Sequence, residues 1–151
     1  MTLALTYECR PDSNFPLSKR EVIFMAELLL KSLNIEGFDF DLKITDDSAI
    51  AEINQDFLGC VGPTNVLSFP FSETPDLATN KYLGEIVLSV DTLARETQLY
   101  AQVPEEHMVR LLAHALLHLA GYDHGQEMYS LTDVAVESVA PIFRQRMVGW
   151  H

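Results

Sequence analysis

The run FDFDLKIT, residues 38–45, alternates apolar and polar side chains and gives way at once to DDSAIAEINQDF, where Ile50, Ile53 and Phe57 recur on one side of a helix. A period of two marks a half-buried strand and a period of 3.6 an amphipathic helix. The switch at Thr45 and Asp46 therefore commits the chain to a sheet with a helix leaving it directly. The same order occurs earlier. LALTYEC, residues 3–9, is alternating and β-rich, RPDSNFP is turn-like, and Ser18 with Glu21 has the spacing of a capping box that opens a helix running to Leu33.

After the loop LGCVGPT come two more β-rich runs, NVLSFPF and LGEIVLSV, separated by the polar turn SETPDLATNK. Pro70 near the end of the first marks it as an edge strand or a strand leaving the sheet. From Asp91 the pattern is helical: DTLARETQLYAQ, then a helix starting at Pro104 with Glu105 and Glu106 in its first turn and stopping at Gly121, then a helix from Glu127 towards Met147 that Pro141 should kink or shorten. Strand, helix, strand, helix, two strands and three helices predict an α+β fold: one domain over residues 1–151, with a small mixed sheet covered by helices.

Composition narrows the function classes. With 10 Lys+Arg against 22 Asp+Glu the net charge is -12, which counts against broad, non-specific binding of nucleic acid. Cys9 and Cys60 form no CxxC pair and are expected to be free thiols in a reducing compartment, which points to the cytoplasm. The N-terminus does not have the pattern of a signal peptide, and the most apolar window, LLAHALLHLAG, is too short to cross a membrane.

The segment HALLHLAGYDH, residues 114–124, carries three of the five histidines. His114 and His118, four apart, share a helix face, and Gly121 allows the chain to turn so that His124 returns towards them. Three neutral imidazoles with a fourth position open describe a catalytic zinc site rather than a structural one. Nickel or copper would also bind such ligands. The spacing coincides with that of the metzincin proteases, in which a glutamate general base follows the first histidine. Ala115 stands at that position here, so peptide hydrolysis lacks its base. Asp123 is read as a turn-forming or ligand-orienting residue, and His107 as a capping or exposed one without a metal role.

Laid out in this way, His114, Leu116 to Leu119, Gly121, Tyr122, Asp123 and His124 resemble the HGxLHLxGYDH signature of the YbeY family, bacterial metal-dependent endoribonucleases of ribosomal RNA maturation and ribosome quality control. INQDF followed by PTNVLSFPF, with Asn54, Phe57, Gly59 and the run Pro63 to Pro70, is similar to a second family block, and Gly84 and Glu85 in LGEIVLS to a third. The resemblance covers essentially the whole chain. It implies a zinc-dependent endoribonuclease acting on ribosomal RNA, with ribosomal RNA or small-subunit components as partners and His114, His118 and His124 holding the ion. The metal would activate water and polarise a phosphoryl oxygen, or help to activate the RNA 2'-hydroxyl; the catalytic side chains beyond the ligands are left unassigned. Thr64, Asn65 and Ser68 are candidate donors near the substrate.

One departure stands out. Leu58 occupies the position of a family arginine implicated in activity, and the loop after it, basic in many relatives, is GCVG. Leucine cannot grip a phosphate. Two alternatives follow: a non-catalytic, metal-containing ribosome-assembly factor, and a hydrolase of another phosphoester or an amide. Convergence of Lys19, Arg20, Lys31, Lys43, Lys81, Arg95, Arg110, Arg144 and Arg146 on the histidines would favour RNA.

Overall fold

The computed structural model describes residues 3–7, 17–72, 81–101, 104–123 and 125–143. Among these, four strands form one mixed sheet: β1 (Leu3–Tyr7), β2 (Asp39–Thr45), β3 (Val66–Pro70) and β4 (Tyr82–Ser89), in spatial order β1-β2-β4-β3. The β1/β2 and β2/β4 pairs are parallel and β3/β4 is antiparallel. The proline-bearing strand is at the edge, as its sequence predicts. Five helices complete the α+β domain: α1 (Lys19–Ser32), α2 (Asp47–Leu58), α3 (Val90–Leu99), α4 (Pro104–Leu119) and α5 (Gln126–Phe143).

Side-chain alternation divides the sheet into two unequal faces. Phe40, Leu42 and Ile44 of β2 and Ile86 and Leu88 of β4 join the main core with Met25 and Leu29 of α1, Leu112 and Leu116 of α4, and Val139 and Phe143 of α5. On the opposite face, Ile50 of α2 packs with Leu67 and Val87, flanked by Ile53 and Phe69. Phe57, expected on the same side of α2 as Ile50 and Ile53, is 71% exposed and meets Phe69 only edge-on, at 5.6 Å between centroids. The apolar stripe of α2 outruns the width of the sheet beneath it.

The core register depends on a bulge. Asp39 pairs with Tyr82 but Asp41 with Glu85, so β4 carries one extra residue there. Gly84, at φ 137°, supplies the backbone conformation, and a Cβ on it would overlap the Phe69 carbonyl oxygen. The extra residue puts Leu83 in the same core as Ile86, although the two are three apart.

Strand-to-helix junctions are closed by side chains. The capping box of α1 forms as its spacing predicts, with Ser18 and Glu21 exchanging backbone-to-side-chain bonds of 3.2 Å each. Asp46 caps α2 and Ser89 caps α3. Asp47 joins the two helices: its carboxylate accepts from Ser89 Oγ at 2.8 Å, Thr92 Oγ1 at 2.5 Å and Arg95 at 2.8 Å, while its own N–H donates to Asp91 at 3.0 Å. Helix α3 ends earlier than its apolar pattern suggests, because Ala101 takes a positive φ of 49°. Pro141 lies inside the last turn of the described part of α5; residues 144–147, expected to extend it, lie outside the described residues, as do Cys9, all of RPDSNFP and most of SETPDLATNK.

Candidate functional site

Helix α4 carries both central histidines. Its stripe Met108, Leu112, Ala115, Leu116 and Leu119 is buried in the main core, which fixes the helix roll and leaves His114 and His118 half-buried on a neighbouring face. Their rings stand nearly perpendicular, at 80°, with centroids 5.2 Å apart. The i, i+4 spacing on α4 thus brings the two imidazoles together on one face of the helix as an edge-to-face pair. Ala115, 2% exposed, is within the core and offers no base.

The helix stops where the sequence places its stop. Gly121, at φ 98°, lets Tyr122 N–H reach back to the Leu117 carbonyl at 3.0 Å while its own N–H meets the His118 carbonyl. This is the hydrogen-bond pattern of a glycine-terminated helix, and it reverses the chain immediately after His118. Asp123 is exposed in that turn; His124 lies outside the described residues. Among the described residues no group of three or more His, Cys, Asp or Glu side chains is placed to hold a metal.

Two neighbours of the histidines carry no mark in the sequence. Tyr129 of α5 stacks on His114, with centroids 6.3 Å apart and planes inclined by 28°. Glu96 of α3 accepts from Asn65 Nδ2 at 3.0 Å and pairs with His107 Nε2 at 3.0 Å. Each belongs to a different helix from the histidine it meets, so only tertiary packing reveals it.

The Glu96 cluster corrects one expectation and sharpens another. His107 is neither a cap nor an exposed residue: its side chain is 11% exposed and held by Glu96. A buried imidazole needs a partner for its ring nitrogens, and α3 provides the carboxylate. Asn65 directs its amide donor to Glu96 rather than outward, and its Oδ1 accepts the Val66 N–H at 2.7 Å. Its backbone carbonyl accepts from Ser89, and Phe71 N–H donates to Leu83, so the odd positions of β3 turn their backbone groups to β4 and the even ones away from it. On that side Val66 N–H is bonded by Asn65 Oδ1, and Pro70 has no N–H to offer.

Asn54, 7% exposed at the end of α2, donates to the Gly62 carbonyl at 3.0 Å and so folds the loop that follows. That loop shows apolar side chains to solvent: Leu58 is 54% and Val61 92% exposed, and Cys60 is a free, exposed thiol. Most of the described cations have a partner, and Arg110 stands one helical turn before His114 on α4. Lys43 pairs with Glu85, Arg95 with Asp47 and Arg110 with Asp133, while Lys19 and Lys81 lie over the rings of Tyr7 and Phe38. Arg144 and Arg146 lie outside the described residues.

The family described as Endoribonuclease YbeY matches residues 13–134 of this chain. The chain belongs to the YbeY family. A YbeY relative from Nitratidesulfovibrio vulgaris, named Endoribonuclease YbeY, is 42% identical over 145 residues, covering 86% of this chain and 90% of its own. One of the same name from Oleidesulfovibrio alaskensis is 38% identical over 143 residues, covering 83% and 85%. The solution structure of TM1509 from Thermotoga maritima superposes with a TM-score of 0.68 over 95% of this chain and 93% of that one; at 24% identity it bears on the fold. Within the YbeY blocks of this sequence, four residues shape the backbone: Asn54 folds a loop, Asn65 covers a strand edge, Gly84 makes a bulge and Gly121 ends a helix.

Proposed function

We propose that this YbeY-family protein is a zinc-dependent endoribonuclease that cleaves ribosomal RNA in the cytoplasm, in the maturation and quality control of ribosomes, with ribosomal RNA or small-subunit components as its partners. The observation that carries the reading is the His114–His118 pair, brought together on one face of α4, in a chain 42% identical to a protein named Endoribonuclease YbeY. His114 and His118, with His124 from the following turn, are the residues that would hold the ion. Bound there, zinc supplies a Lewis acid for a phosphoryl oxygen and lowers the pKa of water. The protein contributes rigid placement: α4 is locked by its core stripe and ended by Gly121, and the Asn65–Glu96–His107 cluster ties the start of β3 to α3 and α4. Attack by water and attack by the 2'-hydroxyl are both compatible with this arrangement.

A second reading, a ribosome-assembly factor that binds without cutting, is favoured by the exposed Leu58 at the end of α2, where a phosphate-gripping arginine is missing. Cleavage of structured ribosomal RNA by the purified, zinc-loaded protein decides between the two. Cutting by the native chain that is lost in His118→Ala establishes the ribonuclease and makes an arginine at position 58 dispensable. No cutting by the native chain, with activity appearing in Leu58→Arg, establishes the binding factor instead.

A further inference from the structure

Resting on the ribonuclease reading and going beyond it, we infer that Tyr129 is a stacking platform for one unpaired base of the RNA held at the histidines. The residues of α5 that build the core are Met128, Thr132, Ala135, Val136, Val139, Ala140 and Phe143. Tyr129 is off that stripe and 52% exposed, yet its ring lies at 28° to the plane of His114, 6.3 Å away. The helix does not need this ring for its burial. What the ring provides is a flat aromatic surface, open to solvent, beside one of the two imidazoles that mark the site.

The charge distribution gives such a surface work to do. Proteins that bind RNA ordinarily draw much of their affinity from Lys and Arg on phosphates. In this chain Arg95, Arg110 and Lys43 are paired with carboxylates, and Leu58 stands where the family carries an arginine. A net charge of -12 repels the RNA backbone as a whole. Stacking of a base on an aromatic ring is independent of that charge, and every base has a face to offer. Tyr129 is an exposed ring stacked against His114.

The test is binding of a short single-stranded RNA, labelled with an adenine analogue whose fluorescence is quenched on stacking, to the zinc-loaded full chain. The native protein is compared with Tyr129→Phe and Tyr129→Leu, and zinc affinity and melting temperature are measured for each. Phenylalanine keeps the ring and should bind as the native protein does. Leucine keeps the apolar bulk without the ring and should weaken binding about 5- to 150-fold and abolish the quench, the range expected for one stacked base. Zinc affinity and melting temperature should not change. Binding by Tyr129→Leu equal to that of the native chain overturns the inference while leaving the ribonuclease reading intact. So does a parallel loss of zinc affinity, since the ring would then act by orienting His114. Failure of the native protein to bind or cut any RNA overturns the ribonuclease reading and the stacking role with it.

Discussion

Asp47 is a small carboxylate serving two helices, and its protonation is coupled to folding. Burial works against its charge, but hydrogen bonds from Thr92, Arg95 and Ser89 and the charge of Arg95 outweigh it and hold the carboxyl below its ordinary value. A group whose folded pKa is depressed contributes stability that is fully present above its unfolded pKa, near 3.8, and is lost as pH falls through the folded value. Asp47→Ala should therefore cost about 1–3 kcal/mol at neutral pH, because the Ser89 and Thr92 hydroxyls lose their acceptor. The variant should also show a flatter loss of stability below about pH 4 than the native protein. Urea unfolding midpoints measured from pH 7 down to pH 3 check both effects; parallel acid limbs in the two proteins would remove Asp47 from the linkage. Its role was hidden in the sequence, where DD at the start of a helix shows a cap and nothing of the neighbouring helix. By contrast, Ser18 and Glu21 were legible because both halves of their capping box lie within four residues.

At the scale of elements, local chemistry could be read and long-range register could not. The stop at Gly121, the edge position of β3 and the apolar face of α4 all follow from signals carried within the element itself. The bulge in β4 does not, since LGEIVLSV reads as a plain strand until β2 and β3 are laid beside it and Gly84 meets the Phe69 carbonyl. The Asn65–Glu96–His107 cluster is illegible for the same reason: its three members come from three elements. Gly84→Ala combines a positive φ with a Cβ that would overlap the backbone of β3. Neither neighbour can yield without breaking the β3/β4 ladder, so a destabilisation of about 3 kcal/mol or more is expected, at the severe end for a single added methyl group. Thermal unfolding measures it. A loss under about 1 kcal/mol, the size of an ordinary surface substitution, would show that the bulge relaxes freely.

For the molecule as a whole, net charge was legible and its placement was not. A balance of -12 argues against non-specific RNA binding, but only the fold shows Arg95, Arg110 and Lys43 paired with acids. The histidine pair was legible as a pair because its spacing matches one helical turn, whereas Tyr129 had to be brought to it by the packing of α4 on α5. The pairing of these cations with acids has a measurable consequence. Each phosphate neutralised by a cation adds about -0.7 to the slope of log affinity against log salt for a single strand. With few such contacts, the native chain should bind RNA with a slope shallower than about -2. Leu58 is 54% exposed, so an arginine there should leave the melting temperature unchanged. Placed at the end of α2, it should steepen the slope by about one contact, roughly -0.7. Binding isotherms at several salt concentrations decide the matter. A native slope of about -4 or steeper would mean that cations converge on the bound strand after all, and the affinity would then belong to phosphate contacts rather than to stacked bases.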